Sequence, residues 1–215
     1  MGREFRRKTI DPGNEPVNLR AQKRSADGTL GTAYDRYPTP ARETLMTAYI
    51  ALLRAVNVGG TGKLPMTELK AMCMAEGFSE VRTYIASGNV VFSSPLPETQ
   101  VKRRLENRLR EYAGKPVGVA IRTASEMADV LKANPFPDAA PSQVAAIFLD
   151  APPAADALEH ARGRQDEEAR LGKREIYVWY GSGMGRSKFR IPAAESGTAR
   201  NMNTIAKLAE MAAAT

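Results

Sequence analysis

An α+β fold of two halves packed together is predicted, and three observations predict it. From Tyr49 onward, apolar runs and amphipathic stretches follow one another in the order β-α-β-β-α-β, which is the ferredoxin-like arrangement. Past residue 123 the order β-α-β-β-α returns without a last strand, a repeat of elements and not of residues. The run AYIALL is apolar on both alternating faces, Ile50 and Leu52 on one and Tyr49, Ala51 and Leu53 on the other, so it is expected to be covered on both sides. The expected organisation is a disordered tail over residues 1–45, a ferredoxin-like half over 46–123, and a second such half over 124–215 that opens with a linking helix.

The tail has no apolar period and many breakers and charges. Met46 follows it directly, just before the first strand, which leaves open whether the tail is a functional arm or an upstream mis-start. AYIALLRAV is the first strand. PMTELKAMCMAEGF is a helix with Pro65 in its first turn and Gly77 as its stop. VRTYIASGNVVFSS divides at Ser87, Gly88 and Asn89 into a hairpin. In LPETQVKRRLENRLREYAG the residues Val101, Leu105, Leu109 and Tyr112 recur at helical spacing, and PVGVAIRT closes the half. ASEMADVLKAN links to the strand VAAIFLD. A helix near residues 154–162, a strand pair in EARLGKREIYVWY, a glycine-rich turn and the helix TARNMNTIAKLAEMAAA complete the second half.

Composition narrows the function classes. The chain has 215 residues, 43% of them hydrophobic, enough for a sizeable core. One cysteine, Cys73, excludes an internal disulfide framework and fits a reducing, cytoplasmic setting. His160 is the sole histidine, so histidine-rich metal sites are excluded and no metal is expected. No apolar run approaches the roughly 20 residues of a membrane span, so no membrane partner is expected. The net charge of +7 invites a nucleic-acid partner, yet residues 1–45 hold +3 of it and the rest only +4.

Three glycine-rich or helix-start segments are candidate anion sites. In NVGGTGK a phosphate loop would need glycine at Asn57 and a hydroxyl at Leu64, and a dinucleotide fingerprint would need glycine at Pro65, so both motifs fail. What remains is a set of flexible amides at Asn57, Gly59, Gly60 and Gly62 beside Lys63, against the plain alternative of a tight strand-to-helix turn. In YGSGMGRSK the glycines deliver Arg186, Ser187 and Lys188, suited to a phosphate or carboxylate, against an ordinary basic hairpin tip. In SGTARNMNT, Thr198 reads as a helix N-cap with Arg200, Asn201, Asn203 and Thr204 crowding the first turn, against a solvated polar face. Cys73 reads as a core residue and His160 as a solvated one. The cations Lys102, Arg103, Arg104, Arg108 and Arg110 alternate with carboxylates, as on an exposed ion-paired helix.

The segments YIALLRAVNVGG, VRTYIASGNVVFSS, GRSK and TARNMNT together resemble a bacterial family known as domain of unknown function 1697, from about Met46 to the C-terminus. The resemblance implies two ferredoxin-like halves and carries no activity. It marks Arg54, Asn57, Gly59, Gly60 and Lys63, then Ser87, Gly88 and Asn89, then Arg186, Ser187 and Lys188, and last Arg200, Asn201, Asn203 and Thr204. Met202 stands where the family carries tryptophan.

The expected function is the binding of a small anionic or nucleotide-like ligand between the halves, with NVGGTGK, GRSK and the last helix start as its walls. The rival is an RNA- or protein-binding module using the basic helix and the tail. Lys63, Lys188 and Ser187 are the groups able to act chemically, but whether any reaction is catalysed, which cofactor if any is used, and the oligomeric state stay open.

Overall fold

The computed structural model describes residues 45–57 and 63–215; the tail expected over residues 1–45 lies outside them but for Leu45, as do Gly59, Gly60 and Gly62. The described residues form one compact unit. Its first sheet contains β1 (Thr47–Leu53), β2 (Ser79–Tyr84), β3 (Asn89–Ser94) and β4 (Val119–Thr123), in the order β2-β3-β1-β4 with every pair antiparallel. Helices α1 (Met66–Ala75) and α2 (Glu98–Ala113) cover one face. A third helix, α3 (Ala124–Lys132), leads to the second sheet of β5 (Val144–Phe148), β6 (Glu167–Leu171), β7 (Glu175–Tyr180) and β8 (Thr198–Asn201), again antiparallel, in the order β6-β7-β5-β8. Helix α4 (Met202–Ala213) follows.

Local chemistry explains the boundaries. Gly114 ends α2 in the left-handed region at φ 65, and Thr123 begins α3 with a capping box, its hydroxyl accepting from the Glu126 amide while the Glu126 carboxylate accepts from the Thr123 amide. Val101, Leu105 and Leu109 face the core as their spacing predicts. Tyr112, read into the same stripe, is instead 47% exposed.

The double-faced β1 is buried as expected. Tyr49, Ala51 and Leu53 join the core beneath α1 and α2, while Ile50 and Leu52 join a second core with Val91, Ala120, Val144, Ala146, Phe148 and Tyr177. Both sheets and helices α3 and α4 contribute to that second core, so neither sheet face is left to water. A third core under the far face of the second sheet contains Leu149, Ala169, Ile176, Val178, Phe189 and Ile191.

Two expectations for the second half are corrected. Residues 154–162 are no helix: Ala157, Glu159 and Ala161 each bond three residues back, as separate turns, and of the segment only Ala157 is fully buried. The second half does have its last strand, β8, paired with β5 from Ala145↔Asn201 to Phe148↔Thr198. Thr198 is therefore a strand residue. The cap of α4 is Asn201, whose side chain accepts from the Thr204 amide at 3.0 Å.

Candidate functional site

The first loop, the hairpin turn and Arg200 meet. Asn57 sits at φ 57, a conformation asparagine tolerates, and its amide clamps the loop: Nδ2 donates to the carbonyls of Leu64 (2.9 Å) and Ala86 (2.7 Å), and Oδ1 accepts from the Leu64 amide (2.7 Å). Asn89, fully buried, donates to Tyr84 O and Ser87 Oγ. Arg200 reaches in from β8. Its Nε donates to Asn89 Oδ1 at 2.5 Å, Nη1 to Thr198 Oγ1 and Ala199 O at 2.8 Å, and Nη2 to Leu53 O (2.9 Å), Ser87 O (2.8 Å) and Gly88 O (3.4 Å). All six acceptors are neutral, and burial pushes the Arg200 guanidinium down to about 10. This arginine is a clasp between the sheets, with its donors occupied by protein. It is not a free anion binder at a helix start.

The other sheet returns the clasp. Arg122 on β4 is 1% exposed and donates to Ile121 O, to Leu149 O (2.8 Å) and to Arg174 O (2.6 Å), with its guanidinium 5.3 Å from the Phe148 ring centre. Burial first, and then the Arg174 charge, holds its pKa below the ordinary arginine value. Arg122 lies opposite Ile50 in the first sheet as Arg200 lies opposite Ala146 in the second. Each arginine bonds the carbonyl before it, a carbonyl at the end of the other sheet's first strand (Leu53) or one residue past it (Leu149), and the turn of the other sheet's hairpin. The Leu53 amide bonds Gly88 O and the Leu149 amide bonds Arg174 O, both at 2.8 Å, which makes Gly88 and Arg174 counterparts.

GRSK lies elsewhere. Met184–Arg186 is a 3₁₀ turn, and the Ser187 hydroxyl donates to the buried carboxylate of Glu167. Glu167 pairs with Tyr180, whose side chain packs into the third core, whereas Arg200 pairs with Ala146 of the second. Ser187 and Arg200 therefore sit on opposite faces of the second sheet, and the structure does not bring all three motifs to one ligand. Arg186 and Lys188 are exposed, as is Asn203 on α4, while Thr204 is buried.

Arg54 and Lys63 do share a cavity, of about 560 Å³, but its other wall comes from the same half: Leu109, Tyr112, Ala113, Lys115 and Val117 at the end of α2 and beyond. Three cations, Arg54, Lys63 and Lys115, line it, with Val56, Leu64, Leu109 and Val117 as apolar surface and Tyr112 at its edge. No carboxylate lines it among the described residues. On its other side Arg54 borders a small recess with Glu106 and Asp150, whose carboxylates already engage Lys102. Helix α1 begins just past Leu64 with Pro65 at its N-cap and no side-chain cap among the described residues, and helix-start amides of this kind can meet solvent or an anion. Sequence reasoning missed Lys115 and Tyr112. The available signal was a lysine directly after the helix-ending Gly114.

Cys73 is buried, and desolvation pushes its thiol up to about 12, so it is no nucleophile at neutral pH. Among the described residues no cluster of histidine, cysteine and carboxylates is placed to hold a metal, and no helix is long and apolar enough to cross a membrane.

This α+β architecture of two four-stranded antiparallel sheets has a counterpart among solved proteins. The chain belongs to the family described as protein of unknown function (DUF1697), whose model matches residues 46–177. Among solved structures it is similar to a conserved bacterial protein, SP0830 from Streptococcus pneumoniae, at 25% identity and a TM-score of 0.66, over 78% of this chain and 99% of that one. A comparison with curated proteins finds no match.

Proposed function

We propose that the chain binds a small anion with a flat or apolar body, such as a nucleotide, in the cavity of Arg54, Lys63 and Lys115. The single observation that carries this reading is three cations around an apolar floor with no lining carboxylate among the described residues. Such cations repel one another, and a bound phosphate relieves that repulsion, while the Tyr112 ring and Leu109 offer a face to a base. The site so proposed lies within the first half and not between the halves. Arg200 supports it from behind by holding Leu53 O, next to Arg54. The strand orders also support reading residues 46–123 and 124–215 as two ferredoxin-like units.

The RNA- or protein-binding alternative draws less support, because on α2 Lys102 is paired with Glu106 and Asp150, Arg108 with Glu111, and Arg104 donates to Glu76 O. The test is a thermal-shift titration with ADP and with pyrophosphate. Both are expected to stabilise the protein saturably, and Lys115→Ala or Arg54→Ala to abolish the shift with little change in the unliganded melting temperature. No stabilisation by either probe, or equal stabilisation of the variants, overturns the reading. Tight binding of a single-stranded RNA oligomer that weakens steeply with salt and survives both substitutions favours the alternative.

A further inference from the structure

The GRSK segment takes no part in the cavity of Arg54, Lys63 and Lys115, and its surroundings differ from those of the basic helix α2. The outer face of the first sheet is covered by α1 and α2, and on α2 Lys102 pairs with Glu106 and Asp150, and Arg108 with Glu111. The far face of the second sheet is covered by two irregular segments instead, residues 158–166 and 184–194, which supply Leu158, Ala161, Phe189 and Ile191 to the third core. Their cations, Arg162, Arg164, Arg186, Lys188 and Arg190, are all exposed, and none makes an ion pair among the described residues.

The fold holds these cations together against their repulsion. Arg162 and Arg190 stand directly opposite in an antiparallel bridge, each amide bonding the other's carbonyl at 2.8 Å, a position where like charges are destabilising. Gly163 lets the two segments touch, since it sits at φ +69 and an added Cβ would collide with Lys188 O. From Ser187 onward the side chains alternate. Ser187 bonds the buried Glu167 carboxylate, and Phe189 and Ile191 enter the core, so Lys188 and Arg190 face out. The Arg164 guanidinium lies 5.2 Å from the Phe189 ring centre, a contact that orients its planar fork. Carboxylates in the same stretch are committed: Glu167 accepts from Gln165 N and Ser187 Oγ, Asp166 from Ser182 Oγ, and Glu168 pairs with Arg170 at 3.0 Å. Among the described residues this leaves five unpaired cations beside the one uncommitted carboxylate of Glu159.

An excess of exposed cations on extended backbone fits an anionic chain, and the side chains select which kind. Single-stranded nucleic acid is held by aromatic faces on which its bases stack, and the one aromatic residue among 162–164 and 186–190, Phe189, is 5% exposed and lies against Arg164. An extended peptide needs no such faces. Its alternate side chains stand about 6.6 Å apart, the same spacing that alternation gives Lys188 and Arg190, and its carboxylates accept the two-pronged arginine donor.

We infer that residues 162–164 and 186–190 form a docking surface for an acidic peptide segment in extended conformation, with carboxylates at alternate positions meeting Lys188, Arg190 and the arginines across the bridge. GRSK then anchors a partner surface, and Ser187 holds that strand down from within.

The test is fluorescence anisotropy on the full chain with labelled probes: a short peptide alternating aspartate with serine, a peptide of the same composition with its aspartates in one block, and oligouridine. The alternating peptide is expected to bind saturably, more tightly than the block peptide, and to weaken as added salt shortens the screening length. Lys188→Glu is expected to weaken it roughly tenfold, because an attractive contact becomes a repulsive one. Arg186→Glu, in the exposed turn and away from the Gly163 contact, is expected to act in the same direction without changing the melting temperature. Arg103→Glu, an equal change of net charge on α2, and Arg54→Ala, in the nucleotide cavity, are expected to leave binding within about twofold. No saturable binding, equal binding of the block peptide, oligouridine binding as tightly as the alternating peptide, or equal weakening by Arg103→Glu overturns the inference.

Discussion

Replacing Arg200 tests whether the clasp works by charge or by geometry. Two of its acceptors, Ser87 O and Asn89 Oδ1, have no other donor among the described residues. Arg200→Met leaves both unsatisfied, at about 2 kcal/mol each, or about 4 kcal/mol. It also removes a buried cation. The fall of the Arg200 pKa from the ordinary arginine value to about 10, caused by desolvation, corresponds to about 3 kcal/mol of charge burial. The net expected loss for methionine is therefore about 1 kcal/mol. Lysine keeps the buried charge but has no planar fork to reach three backbone segments, so the offset is lost and the expected cost is about 3–4 kcal/mol. Neutralising the lysine offers no escape, because lowering its pKa from about 10.4 to 7 costs about 4.6 kcal/mol. Urea unfolding at pH 7, extrapolated with a common slope, reads the differences. The expected order is wild type, then methionine, then lysine. A lysine variant more stable than the methionine variant would refute the reasoning, because charge would then outweigh geometry in this interface.

Gly88→Ala is expected to lose about 3 kcal/mol or more, since its Cβ would meet Val56 Cγ2 at 2.4 Å and Leu53 Cβ at 2.8 Å at φ +78. Gly77→Ala, at φ +81 in open space, is expected to lose only about 1 kcal/mol, and equal losses in thermal unfolding would show that backbone strain alone accounts for both. The Glu167 carboxyl is held below its ordinary 4.5 by the Gln165 amide first and the Ser187 hydroxyl second. The unfolded chain takes up this proton first, so the stabilisation is complete above about pH 4.5 and is lost as pH falls through the lower folded value. Ser187→Ala is expected to cost more stability at pH 7 than at pH 3, and an equal cost at both would count against a charged acceptor.

Much of the fold is legible because its signals are local. The two apolar faces of β1, the Ser87-Gly88-Asn89 turn and the Val101, Leu105, Leu109 stripe each lie within one short window. Strand β8 is not legible in that way. Thr198, Ala199, Arg200 and Asn201 show no apolar alternation, and what makes them a strand is pairing with β5, 50 or more residues away. Residues 154–162 mislead in the opposite sense: Ala154, Ala157 and Leu158 stand at helical spacing, yet Ala157, Leu158 and Ala161 reach the interior from separate three-residue turns. The candidate site is half legible. The sequence picks out Arg54, Asn57, Lys63, Ser87, Asn89 and Arg200 as important, and the structure gathers Asn57, Ser87, Asn89 and Arg200 into one junction. It does not reveal that Arg200 is spent on carbonyls, because those acceptors lie over 110 residues earlier.

The equivalence of the two halves survives in geometry where it has vanished from sequence. Arg122 and Arg200 occupy the same register on the fourth strand of each sheet, and each reads the other sheet's first strand and hairpin turn, which is the reciprocity of a two-fold interface. An apolar pair would bury as well at lower desolvation cost, so the arginines serve to set how the sheets meet, since only one alignment offers both forks their carbonyls. Within that shared frame, equivalent positions differ in charge. Gly88 corresponds to Arg174, and Asn89 to Glu175. Arg54, one residue past Leu53, corresponds to Asp150, one past Leu149. Arg54 lines the cationic cavity, while Arg174 and Glu175, whose counterparts Gly88 and Asn89 lie packed in the clasp, line a cavity beside α3.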